Sequence, residues 1–295
     1  MWAACMSNKR TAILILAWLA CGGAGCIRTP SPPPAEPAMP MLLTPREPPR
    51  RVLVVQMQLV SIEVPVGSAT SSEDIWSYVD EEPASASRAS ALGINGFRVG
   101  LARQESWPSL EKIFRQLTGR QGQAALLSSL PGDPVQVVLK PGQPAQTLFL
   151  FHADRTPPTG EDYPPCDNLL TVMCSLDEDE PNRLIVLGQP QMWSTERSLQ
   201  YVEEGGRYLY AARPRVYGFP ELTFRLRVAL GEIIVVGPGS SARRGTSVAR
   251  HFLIKQRNGI EFETVLVLIP RVVPAMVWPA TAPTVPPGVA APGSP

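Results

Sequence analysis

Leu222-Thr-Phe-Arg-Leu-Arg-Val228 and Val265-Leu-Val-Leu-Ile269 decide the architecture of this chain. The first alternates apolar and polar residues. Arg225 and Arg227 are therefore expected on a solvent face, with Phe224, Leu226 and Val228 on a core face. The second is apolar at every position, which in so short a run suits a strand buried on both faces. Further strand candidates surround them, divided by Gly and Pro turns: Thr147–Phe151, Leu169–Ser175, Arg183–Leu187, Arg207–Arg213, Leu222–Leu230, Ile233–Val236, His251–Gln256 and Thr264–Val273. Residues 143–273 thus read as a mainly antiparallel β domain.

Towards the N-terminus the pattern is mixed. Arg51–Val64 alternates in its later part and predicts a strand. Ser71-Ser72-Glu73-Asp74 predicts the start of a short helix carrying Ile75, Trp76 and Val79. Asn95-Gly96 leads into a strand, Phe97–Leu101. Ser106 as N-cap, Pro108 in the first turn, the helical spacing of Leu110, Ile113, Phe114 and Leu117, and a stop at Gly119 predict a second helix. Val135–Leu139 completes a β-α-β-α-β pattern over residues 51–142, so the expected fold class is α+β.

Both ends are different. The chain of 295 residues holds 33 prolines, about twice the average usage of roughly 5%, and they concentrate at 27–50 and 274–295. The first stretch predicts a polyproline-like tether reaching up to about 70 Å, and the second a disordered tail. Ahead of the tether, Asn8-Lys9-Arg10 precedes an apolar run, Thr11–Ala20, and the small-residue exit Cys21-Gly-Gly-Ala-Gly-Cys26. A basic segment, a short apolar core and small residues make a secretory signal over residues 1–26. The run is shorter than the ~20 residues that a membrane-spanning helix needs. With 27 basic and 26 acidic residues the net charge is +1, too weak a field to recruit nucleic acid.

The exit resembles the lipobox of bacterial lipoproteins, with Cys26, or alternatively Cys21, as the acylated residue. That resemblance implies a lipid anchor, an envelope location facing the periplasm and the outer membrane as the partner surface. Cys166 and Cys174 remain for the mature chain, and an even pair in an oxidising compartment is expected to form a disulfide.

No catalytic, cofactor or metal motif stands out. His152 precedes Ala153-Asp154, and His251 opens a strand candidate. Either could serve as the base of an extracytoplasmic hydrolase, although no G-x-S-x-G elbow accompanies them. Asp177–Glu180 lacks the ligand spacing of a calcium loop and reads as a solvated turn. Arg243-Arg244 reads as a mobile hairpin loop able to meet a phosphate. Tyr201, Tyr208, Tyr210, Tyr217 and Phe219 could line a glycan or peptide groove, and Tyr208 with Tyr210 has the spacing of cross-strand packing.

The last fifty or so residues of this region carry Gly231 in a turn, Gly237 ending an apolar strand, Phe252 closing a loop, and Glu263…Pro270-Arg271 in the final strand. This order resembles the end of the secretin domain of outer-membrane secretion pores. The repeated Leu-Gly and Ile-Pro elements of the secretin gate are missing from Gly239–Arg250. The resemblance implies an envelope protein that works by contact with other envelope proteins or with itself, as a structural or assembly component of a secretion- or pilus-type system, without enzymatic activity or cofactor.

Overall fold

The computed structural model describes residues 50–82, 84–119, 122–153, 157–204 and 206–277. The signal, Cys21, Cys26, most of the tether and nearly all of the C-terminal proline tail lie outside the described residues. In chain order the elements are β1 (Arg50–Pro65), α1 (Ala86–Ile94), β2 (Phe97–Ala102), α2 (Trp107–Thr118), β3 (Gln123–Ser129), β4 (Pro134–Gln143), β5 (Gln146–Leu150), β6 (Thr159–Tyr163), β7 (Cys166–Leu176), β8 (Arg183–Glu204), β9 (Arg207–Gly218), β10 (Phe224–Ala229), β11 (Ile233–Pro238), α3 (Val248–Leu253), β12 (Ile254–Arg257) and β13 (Ile260–Val277). The described residues are mostly antiparallel sheet.

Three sheets form. The first runs β2-β11-β13-β1-β3 with β12 also on β13, the second runs β10-β8-β7-β4 with β9 also on β8, and β5 pairs β6. In the first, β1 and β13 pair along their whole length, from Arg50 opposite Val277 to Pro65 opposite Phe262. β13 is the strand whose Val265–Leu268 run is apolar at every position, and all four side chains are buried. The alternation of a strand explains how one run serves two cores. Leu266 and Leu268 join Ile234, Val236, Met57 and Val99 against the second sheet, together with Phe224, Leu226, Val186 and Val172. Val265 and Val267 face the other way, where Ile62, Val64 and Val235 meet Leu110 and Phe114 of α2 and the Ile75–Val79 segment. The first sheet is thus the middle of three layers.

This arrangement corrects the expected division at residue 142. β1 and β2 are not neighbours; β13 and β11 lie between them, and β4 belongs to the second sheet. The β-α-β-α-β segment does not close on itself, because β11 and β13 need strands on both edges to satisfy their backbone groups. Two local expectations also change. His251 and Phe252 belong to the helix α3, which Ser247 starts by accepting a hydrogen bond from the Arg250 amide, and the strand begins only at Ile254. Ser71–Asp74 leads not into an α-helix but into a single 3₁₀ turn, Trp76–Tyr78. The helix α2 forms as expected and ends at Gly119 in the left-handed conformation, but the Ser106 side chain accepts no capping hydrogen bond and the residue sits in a preceding 3₁₀ turn.

The expected Cys166–Cys174 disulfide does not form; both cysteines are free and buried. They occupy one continuous strand, β7, on the same face. At about 3.3 Å per residue their α-carbons stand roughly 26 Å apart, against the limit of about 7 Å for a bridge. Each instead packs as a small apolar side chain in the core between the sheets, and burial pushes the Cys174 thiol up to about 11. One packing detail fixes the second sheet: Gly188 lies opposite Phe224, and a β-carbon there would fall 2.0 Å from the ring. The ring covers the glycine, and no larger residue fits.

Because no bridge links the described segments, saturating dithiothreitol is expected to leave the thermal unfolding midpoint of the chain unchanged. A drop of several degrees on reduction would contradict the free-thiol structure.

Candidate functional site

Two residues of the C-terminal motif, Glu263 and Gly237, converge on a structural clamp. Glu263 of β13 is wholly buried and each of its oxygens accepts twice. Oε1 takes the Gly67 amide at 2.7 Å and the Thr70 hydroxyl at 2.6 Å; Oε2 takes the Ala69 amide at 2.6 Å and the Thr70 amide at 3.1 Å. A carboxylate so fully bonded offsets its own desolvation. The loop it gathers follows β1, and Gly67 enters it at φ 92°, a conformation natural to glycine. Trp76 then donates its indole N–H to the Ala69 carbonyl at 2.9 Å, and its ring lies against the bare backbone of Gly237, where a β-carbon would come within 3.0 Å. Glu263 and Gly237 therefore hold the same N-terminal segment from two strands.

The other members of the motif also have identifiable work. Gly231 makes the turn between β10 and β11 at φ 97°. Phe252 is buried, its ring edge-on to Phe97 and Phe219. Pro270 is buried opposite Met57, just past Leu268, where the pairing with β11 ends; a residue without an amide proton suits that edge. Arg271 is exposed opposite Gln56. Thr70 and Ser71 of the clamped loop also bond the Arg243 guanidinium, the former at 3.3 Å, so Arg243 belongs to a 3₁₀ turn over the clamp and not to a mobile hairpin.

The two histidines lie in separate clefts. His152 Nε2 is 2.9 Å from the Thr159 hydroxyl. His251 Nδ1 is 3.0 Å from Gln146 Oε1, an oxygen that can only accept, so Nδ1 carries the proton. Burial first, then Lys140 and Arg250, hold the imidazole below its ordinary value. The Gly245 backbone opposes that shift, and Nε2 is buried without a hydrogen-bond partner among the described residues. Among the described residues the His251 ring meets an amide oxygen and not a carboxylate, unlike the base of a hydrolytic triad. Asp177 departs from the expected solvated turn. It is buried, 3.4 Å from Arg227 Nε, while Arg227 also reaches Asp179 and Glu180 from the exposed face of β10.

One surface was visible in the sequence only as a tyrosine cluster. The alternating burial of β8 runs from Leu184 to Ser194 and then stops; from Thr195 nearly every residue is exposed or half-buried. Beyond that point β8 pairs only with β9, from Arg197 opposite Pro214 to Glu204 opposite Arg207. A two-stranded ribbon of about 27 Å therefore leaves the sheet. It displays Leu199, 74% exposed, with Tyr201, Tyr208 and Tyr210 each more than 60% exposed. Tyr201 and Tyr210 are directly opposed and their rings meet at 4.2 Å. Tyr217 and Phe219 are not part of this face; they pack on Tyr163 at the root.

No protein-family model matches the chain, and no curated protein does. Among solved structures it is similar to the InvG secretin domain β-barrel of the Salmonella SPI-1 injectisome, at 8% identity and a TM-score of 0.17, over 80% of this chain and 66% of that one. It is also similar to a chain of the Klebsiella pneumoniae type II secretion outer-membrane complex of PulD, PulS and PulC, at 10% identity and TM-score 0.16, over 78% and 40%. A third is from the AspS–GspD pilotin–secretin complex of ETEC, at 8% identity and TM-score 0.17, over 78% and 49%. The chain thus spans less than two thirds of the length of each.

Two outcomes are expected from the clamp and the buried cations. Glu263→Gln keeps one acceptor oxygen for four donors and should destabilise the fold by about 2–4 kcal/mol in urea unfolding. Lys140, pushed down to about 8 by burial and then by Lys255 and Arg250, binds its proton less tightly folded than unfolded. Between about pH 8 and the ordinary lysine value the unfolded chain holds more protons, so this group makes stability rise with pH there. Unfolding midpoints of Lys140→Met should lose that slope.

Proposed function

We propose that this protein is a non-enzymatic envelope lipoprotein that acts through protein–protein contacts made by the β8–β9 ribbon. The ribbon's composition carries the reading. A two-stranded hairpin is marginal in water on its own, and this one spends its exposed faces on Leu199, Tyr201, Tyr208 and Tyr210. Tyrosine supplies large contact area with a polar tip at low entropic cost, which suits a surface that is wet when free and covered when bound. Its open edges add backbone donors and acceptors able to extend a partner's sheet.

The rest of the proposal rests on the sequence. The lipobox-like Cys26, or Cys21, would anchor the chain at the outer membrane, and the proline tether would carry the folded unit away from it. The order Gly231, Gly237, Phe252, Glu263, Pro270, Arg271 supports a structural or assembly role in a secretion- or pilus-type system. The partner is another envelope protein or a second copy of the chain.

Photo-crosslinking residues placed singly at Leu199, Tyr201 and Tyr210 in intact cells should each give a discrete adduct above the monomer mass. The same residue at Gln116, exposed on α2, should give none. Folded protein without an adduct from any ribbon position would overturn the proposal. Mass spectrometry of the mature N-terminus should find an acylated cysteine.

A further inference from the structure

A cleft of about 450 Å³ opens where the end of β4, the helix α3, β12 and the start of β13 meet. It is lined by Lys140, Arg250, His251, Lys255, Arg257 and Glu261, with Gln143 and Gln256 among its polar walls. Two carboxylates answer its four cations. Glu63 of β1 takes Lys255 at 3.0 Å and Arg257 at 2.8 Å, and Glu261 takes Arg250. Lys140 has no ion-pair partner among the described residues; its ammonium donates to the Arg250 carbonyl at 3.1 Å. Two positive charges are thus in excess within one concave space, and like charges are held there at a cost. Burial chiefly, and after it Lys255 and Arg250, depress Lys140, while Glu261 opposes them.

One unpaired ammonium, Lys140, beside a local excess of two positive charges is explained by an anion that belongs in the cleft. A carboxylate would neutralise one charge; a phosphate group carries about −1.5 to −2 at neutral pH and offers three acceptor oxygens. The ammonium of Lys140, and the guanidinium N–H groups of Arg250 and Arg257 left outside their pairs with Glu261 and Glu63, supply the matching donors. We propose that this cleft binds a phosphate monoester, with its phosphate between Lys140, Arg250 and Arg257 and a small polar group against Gln143 and Gln256. The site is remote in sequence from the ribbon and does not depend on what the ribbon binds.

The phosphate could be that of a soluble ester or of a lipid headgroup, and three probes separate the two. The full chain is titrated with inorganic phosphate, glycerol 3-phosphate and dihexanoyl phosphatidic acid below its micelle concentration, with thermal unfolding as the readout and chloride matched for ionic strength. A saturable rise of the midpoint with the probes, weakened roughly tenfold in Lys140→Gln and in the more exposed Arg257→Gln, supports the site. Lys140→Arg, which restores the charge, should recover binding. Tighter binding of the lipid probe assigns the site to a headgroup, and equal or tighter binding of glycerol 3-phosphate assigns it to a soluble ester. A midpoint that follows ionic strength alone, or a response unchanged in both neutral variants, overturns the proposal.

Discussion

The pairing of β1 with β13 is the constraint on which the other elements depend. It joins residues 50–65 to 262–277 in unbroken antiparallel register, and everything between must fit within the loop that it closes. β11 and β2 extend that pair on one edge and β3 on the other. Because β13 is apolar on both sides, one layer must cover each face. The second sheet covers one, and α2 with the Ile75–Val79 segment covers the other. The buried Glu263 sits near the turn end of the pair and fixes the first residues to leave it, so the ladder and the clamp act as one unit.

Strand positions were largely legible from the residues. Val265–Ile269 announced its double burial, Leu222–Val228 announced one buried and one open face, and α2 followed from Leu110, Ile113, Phe114 and Leu117. What alternation cannot carry is pairing. Nothing near Phe97–Leu101 indicates that its neighbour is Ile233–Pro238 and not the strand that precedes it, because hydrogen-bond ladders are set by long-range packing. The helix α1 was invisible for another reason. Ala86-Ser-Arg-Ala-Ser-Ala-Leu-Gly-Ile94 buries only Leu92 and has no apolar stripe to detect. At α3, His251, Phe252 and Leu253 looked like the start of the strand that actually follows them.

The site residues divide in the same way. Glycines at 231 and 237, Phe252, Glu263 and Pro270 were singled out as a pattern, and the structure gives each a mechanical cause. Their partner segment, Gly67–Trp76, could not be named beforehand, since a lone glutamate in a strand does not say which amides it will gather. The basic cleft was hidden for a related reason: Lys140, Arg250, Lys255 and Arg257 stand on separate strands and a helix, and only folding brings them together. The cysteines misled because even counts suggest bridges, whereas positions 166 and 174 lie along one extended strand that holds them apart.

The long β1–β13 ladder also governs how the chain reaches its native state. The first strand made must wait until almost two hundred residues have followed before its partner begins. Contacts of such sequence separation make folding slow, since loop closure comes before any reward. During that interval Val52–Val60 is a long apolar edge without a neighbour, the type of segment that pairs with other chains. The first sheet can therefore close only after β13 has been made. Until then its early strands must be kept from pairing with other chains.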